Sequence, residues 1–201
     1  MKQPDAPDHD AWCAWHPTEL ARRLTGVSVP WCVAGGWALD LWHGHQTREH
    51  EDLEFTVLRS DVPVFRRALA DMEFHTAGDG IVKHLPAQSA PPAEISQVWC
   101  LDVVQHCWRV DMMIEEGSPD LWVYKRNPAI SVPRADIVAT TPAGISYLKP
   151  AAVLLFKAKH GRPKDEVDFA NALPKLQQSE RSWLKDCLDL CHQGHRWAER
   201  L

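Results

Sequence analysis

The stretch Val33-Ala34-Gly35-Gly36-Trp37-Ala38-Leu39-Asp40, continuing through Thr47-Arg48-Glu49-His50-Glu51-Asp52-Leu53-Glu54 to Phe55-Thr56-Val57, decides the fold. Val29 to Ala34 is a short apolar run that predicts a buried strand, stopped by Gly35-Gly36. Trp37 to Trp42 predicts a helix with Gly44 as its stop. From Glu51 to Leu58 polar and apolar residues alternate. Leu53, Phe55 and Val57 take one face of a strand, and Asp52, Glu54 and Thr56 take the other. A strand, two glycines, a helix and an acidic strand thus follow one another within about thirty residues.

Two glycines between a strand and a helix can expose successive backbone N–H groups, and the helix start adds partial positive charge. Such a start can hold a phosphate, or it can serve tight packing. Asp52 and Glu54 stand at i and i+2, roughly 6.6 Å apart at ~3.3 Å per residue. Alternating acids alone describe a solvated strand face. With the glycines upstream, they point instead to carboxylates sharing metal ions, which two-metal phosphoryl sites hold ~3.5–4 Å apart. A third acid, Asp111, lies in Cys107 to Ile114 (CWRVDMMI), a strand that predicts Trp108, Val110, Met112 and Ile114 on one face. Arg109, Asp111 and Met113 fall on the other. Three clustered carboxylates without a cation repel one another. Magnesium, which takes oxygen ligands and keeps substrate phosphates in its shell, resolves the repulsion.

Outward from this stretch, Thr18 predicts a cap on a short helix carrying Leu20, Ala21 and Leu24, ended by Gly26. Ser60-Asp61 predicts the start of a helix with Val64, Phe65, Leu69 and Met72. Phe74 to Lys83 reads as extended, 86–92 (PAQSAPP) as a loop, and Val98 to Val104 and Leu121 to Tyr124 as strands. After Gly144 the pattern turns helical. Pro150 and Pro163 open two helices, and Ser179 caps a third running to the C-terminus. The order predicts an α+β fold: a mixed β-sheet with flanking helices and a small C-terminal helical part. It divides into a loose arm over 1–17, a main domain over 18–144 and a helical subdomain over 145–201.

The 201 residues, 45% of them hydrophobic, suffice for a substantial core. A net charge of −5 argues against a nucleic-acid partner. The N-terminus lacks an apolar export core, and no run approaches the ~18 apolar residues of a membrane span. Six cysteines without a CxxC pair fit reduced thiols and a cytoplasmic setting. There is no GxxxxGK[ST] or GxGxxG, which argues against a P-loop NTPase and a dinucleotide-binding oxidoreductase.

GGWALDLWHGHQTREHEDLEF resembles the signature of the polymerase-beta-like nucleotidyltransferase superfamily. In particular it is similar to small antibiotic nucleotidyltransferases of the aminoglycoside 2″-adenylyltransferase and lincosamide type, with GGWA-(I/L)-D followed by R-x-H-(D/E)-D-(I/L)-D. The match is close over Val33 to Val57. Looser matches run through Val110 to Met113, Leu154 to Lys157 and Lys164 to Phe169. The resemblance implies Gly35 and Gly36 at a triphosphate, with Arg48 and Lys157 as further nucleotide-binding residues. Asp52 and Glu54 would hold Mg2+, two ions by the family pattern, and Asp111 would be a third ligand or the base. Glu54 stands where the family has Asp, which moves its carboxylate outward by one methylene. The implied reaction transfers a nucleoside monophosphate, AMP from ATP or from another NTP its equivalent, to a hydroxyl of a small molecule. An aminoglycoside-like antibiotic would be one such acceptor, and resistance one such role. A nucleotidyltransferase-fold binding or antitoxin-like protein without turnover is the rival reading, and a protein or RNA acceptor a third. A homodimer is left open.

Elsewhere the blander readings prevail. His43, His45 and His50 lack a zinc-ligand spacing, and His50 is expected to orient the strand entry. Arg48 can reach a phosphate or pair with a carboxylate. Asp165 and Asp168 are expected to pair with the neighbouring lysines. Cys187, Cys191 and His195 form one helical stripe that reads as packing.

Overall fold

A computed structural model describes residues 7–201; the first six residues of the predicted arm lie outside it. The chain begins with α1 (Pro17–Arg23), β1 (Trp31–Val33), α2 (Gly35–His43) and β2 (Glu54–Leu58). A 3-10 turn (Arg59–Asp61) leads into α3 (Val62–Ala68). Next come β3 (Glu73–Gly78), β4 (Ile81–His84), β5 (Gln97–Asp102), β6 (Cys107–Gly117) and β7 (Leu121–Val123). After β8 (Ser131–Pro133), α4 (Arg134–Ile137), β9 (Val138–Thr140) and β10 (Ser146–Leu148), the chain closes with α5 (Pro150–Ala158), α6 (Pro163–Ala172) and α7 (Gln178–Cys191).

The fold is α+β with a mixed sheet ordered β4-β3-β5-β6-β2-β1-β10-β9, and β7 and β8 branch off β6. The acidic strand β2 pairs antiparallel with β1 and parallel with β6. Parallel neighbours need a long crossover, and here α3 and the β3–β5 strands fill it. Leu53, Phe55 and Val57 are buried, as the alternation of that segment requires, and they join Val110, Met112 and Ile114 in the core under the helices.

Several local expectations are corrected. The helix α1 is capped by His16, whose ring accepts from the Thr18 backbone N–H, so Thr18 lies inside the first turn. The helix α7 is capped by Gln177 in a reciprocal box with Glu180 rather than by Ser179, and it stops at Cys191. His195 therefore leaves the stripe of Cys187 and Cys191 and turns its ring to the Ala158 carbonyl oxygen. Trp108 does not share a face with Val110. The pairing of β5 with β6 slips by one residue between Cys100 and Leu101, and one extra residue reverses the alternation beyond it. The Trp108 ring consequently packs against Trp12, His75 and Trp99.

The segment expected as a loose arm is tied down within its described part. Trp108 N–H donates to the Ala11 carbonyl, and the N–H groups of Cys13 and Trp15 donate to Trp108 and Arg109. This segment is an added edge to β6. At the other end β10, from the part expected to be helical, pairs in parallel with β1 at Val33 and Tyr147. Between 131 and 144 the sequence marks no elements, because strands of three residues are too short to display a period.

Candidate functional site

The two glycines open α2. Gly35 has φ +60, and a Cβ there would lie 1.7 Å from Glu54 Oε2. A Cβ on Gly36 would meet the His50 ring at 2.4 Å and an Arg48 nitrogen at 2.6 Å. The glycine pair is thus needed for close approach by residues that follow it in the motif. No side chain caps α2 at Ala34, which leaves the first N–H groups of this helix open beside a cavity.

That cavity, of about 320 Å³, is lined by Gly35, Asp52, Glu54, Asp111 and Lys157 among the expected site residues. Pairing in register across the parallel strands, Glu54 and Asp111 stand side by side on one face, with strands about 4.8 Å apart. Asp52 sits just before β2. Gly36 and Arg48 do not line the cavity.

The carboxylates are poorly compensated. Burial, then the charge of Asp52, pushes Glu54 up to about 7. Burial, then the charge of Glu54, raises Asp111 well above the usual carboxylate range. Gln97 Nε2 donates to Asp111 Oδ2 at 2.6 Å. Asp111 Oδ1 is buried and has no hydrogen-bond partner. An oxygen-only set with one orphaned oxygen and raised proton affinities has the donor chemistry of a hard divalent cation. Among the described residues no three His, Cys, Asp or Glu side chains are arranged as a group that could hold a metal ion.

Opposite the acids stand bases. Lys125 Nζ donates to Ser96 Oγ at 3.1 Å, and burial lowers its proton affinity. Lys157 is buried and held by Asp168 at 2.8 Å and Asp165 at 3.3 Å. Arg162 holds Asp165 at 2.9 Å, and Arg48 grips Asp168 through Nε at 2.8 Å and Nη2 at 3.0 Å. Burial alone would raise Asp168, but the hydrogen bonds from Arg48 and Lys157 outweigh it and keep it below its ordinary value. Arg48 therefore takes the carboxylate of its two expected partners, and Asp165 and Asp168 pair with lysine as expected. His50 bonds the buried Asp40, which also accepts the Thr47 N–H at 3.0 Å, so His50 fixes the chain entering β2. His43 meets Lys175.

Sequence reasoning missed Gln97, Lys125, Arg126, Arg162, Trp12 and Trp99, all lining the cavity. Gln97 and Trp99 face Met113 and Asp111 in register across β5 and β6. A strand placed antiparallel to β6 would have exposed them as candidates. No local pattern marks Lys125 or Arg126.

The family model described as aminoglycoside-2''-adenylyltransferase matches residues 18–91. No curated protein sequence matches the chain. Among solved structures, the chain is similar to the solution structure of the antibiotic-resistance factor ANT(2'')-Ia, with 11% identity and a TM-score of 0.57 over 91% of each chain. It is also similar to crystalline ANT(2'')-Ia in complex with adenylyl-2''-tobramycin, with 12% identity and a TM-score of 0.52 over 86% of this chain and 95% of that one. At these identities the likeness is one of fold. Among the described residues no helix is long and apolar enough to cross a membrane. The chain shares the fold of the ANT(2'')-Ia structures, and its residues 18–91 match the aminoglycoside-2''-adenylyltransferase model.

Proposed function

We propose that this protein is a magnesium-dependent nucleotidyltransferase that moves a nucleoside monophosphate, AMP from ATP in the first instance, onto a hydroxyl of a small molecule. The observation that carries this reading is the in-register pair Glu54 and Asp111, joined in one cavity by Asp52 and by the uncapped start of α2. Asp52, Glu54 and Asp111 would hold the metal, which when bound neutralises charge on the triphosphate. The open N–H groups of α2 orient the phosphates. The acceptor oxygen attacks the α-phosphorus, a new O–P bond forms, and the bond to the β-phosphate oxygen breaks as pyrophosphate leaves. Asp111, in its ionised form and with its proton affinity raised by burial, takes the hydroxyl proton. Lys157 and Arg162 supply positive charge from the helical side. Arg48 acts from behind, by fixing Asp168 and through it Lys157.

Calorimetry with a non-hydrolysable ATP analogue and magnesium tests the site, on the unaltered protein and on an Asp52→Asn, Glu54→Gln double variant. Metal-dependent binding that the double substitution abolishes supports the reading and justifies an acceptor screen by pyrophosphate release. A folded protein that binds no nucleotide refutes the ATP form of it. Binding without pyrophosphate release across the screen, tolerant of Asp111→Asn, would favour the binding-only alternative.

A further inference from the structure

Across the sheet, one row of residues runs Trp99 on β5, Asp111 on β6 and Glu54 on β2, and Glu54 C=O then accepts the Ala34 N–H ahead of Gly35. The open start of α2 and Trp99 therefore flank the carboxylate pair from opposite sides. If phosphates lie at Gly35, an acceptor delivering its proton to Asp111 enters from the Trp99 side. That side is aromatic. Trp12 meets Trp99 edge-on at 5.1 Å between ring centroids, Trp108 backs Trp99 at 5.3 Å, and Trp12 and Trp99 both line the cavity. Trp99 Nε1 is buried without a hydrogen-bond partner, a donor available to a ligand oxygen.

The charges around the cavity point the same way. Its carboxylates are Asp52, Glu54, Asp111 and Glu115. The first three form the proposed metal set, and Arg134 closes on Glu115. No further carboxylate in the lining is left to meet an ammonium group, whereas Lys125 and Arg126 add positive charge. Resting on the nucleotidyltransferase reading, we propose that the acceptor is a hydroxyl compound with an uncharged ring. Its flat apolar face would lie on one of the two rings, Trp12 or Trp99, with the other ring at its edge, and a polycationic amino sugar would be a poor fit. Ring stacking on tryptophan supplies affinity without charge.

The test uses the full-length protein labelled with 5-fluorotryptophan and followed by fluorine NMR. The Trp12 and Trp99 signals are assigned with Trp12→Phe and Trp99→Phe variants. The uncharged ring probe is 4-nitrophenyl β-D-glucopyranoside, and the polycation probe is spermine. The expected result is that the glucoside moves both signals more than spermine does. Trp12→Ala or Trp99→Leu should weaken glucoside binding about tenfold, while magnesium-dependent binding of the ATP analogue stays within about twofold. Trp12→Phe, which keeps an aromatic face in the edge segment, retains most of the affinity and controls for misfolding. Spermine moving the signals more than the glucoside, or glucoside binding indifferent to Trp12 and Trp99, overturns the proposal. So does nucleotide binding with no glucoside response, which leaves the nucleotidyltransferase reading standing. Glucoside binding at both tryptophans without nucleotide binding upholds the ring site and removes that reading instead.

Discussion

The carboxylate of Glu54 fills the space that a side chain on residue 35 would need, with Oε2 1.7 Å from the position of a Cβ on Gly35. The longer acid in β2 and the glycine at the start of α2 are therefore one arrangement. Gly35→Ala must push Glu54 away and also adopt a left-handed φ, at about 1–2 kcal/mol of stability. It should weaken metal-dependent nucleotide binding at least tenfold. Adding Glu54→Asp, which withdraws the carboxylate by one methylene, should recover part of the binding while the backbone strain and the stability loss remain. Calorimetry and thermal melts on the two single variants and the double variant check both halves.

Glu54 is raised to about 7 in the folded protein from 4.5. An acid with a raised folded value binds more protons folded than unfolded between those two values, so its contribution to stability falls as pH rises from about 4.5 to about 7. Glu54→Gln should therefore gain stability over the unaltered protein on going from pH 5 to pH 8, by on the order of 2 kcal/mol. Comparing melts of the two proteins at each pH cancels the buried histidines, whose lowered values act with the opposite sign. Saturating magnesium should shrink the difference by favouring ionised Glu54. A gap that is flat with pH would refute this.

Gln97 donates the hydrogen bond that favours the ionised form of Asp111. Gln97→Leu removes it and should raise Asp111 further. The acid limb of the pH profile for pyrophosphate release should then move upward by about half to one unit. Nucleotide affinity at pH 8 should change little.

Asp168 is almost wholly buried and shared by Arg48 and Lys157. Asp168→Ala leaves Arg48 without its carboxylate and Lys157 with Asp165 alone, and should cost about 3 kcal/mol, a fall in Tm of roughly 6–12 °C for a chain of this size. Arg48→Lys loses the two-pronged grip and should lower Tm more than it changes nucleotide affinity, because Arg48 does not line the cavity. A large affinity loss with an unchanged Tm would instead mean direct phosphate contact.

The elements around the site were legible because each carries a local signal: the glycine pair before α2, the alternation through β2, and the acid within β6. Asp52, Glu54 and Asp111 do line one cavity. What escaped depends on pairings that leave no local trace. The choice of Arg48 between phosphate and carboxylate is made by Asp168, 120 residues away. The face taken by Trp108 is set by a one-residue slip in β5–β6 pairing, invisible to a period-two reading. Trp12 lies in a polar, proline-rich segment that looks unstructured until β6 offers it an edge.

The long reach from Arg48 to Asp168 has a consequence for the order in which the molecule comes into being. During synthesis at ~5–20 residues per second, Arg48 precedes Asp168 by about 6–24 s, and until α6 leaves the ribosome neither Arg48 nor Lys157 has its anion. The acidic strand and its glycines are made early but wait as an unbraced half. A nascent chain stalled before residue 163 should be unable to hold nucleotide even with Asp52, Glu54 and Asp111 already in place.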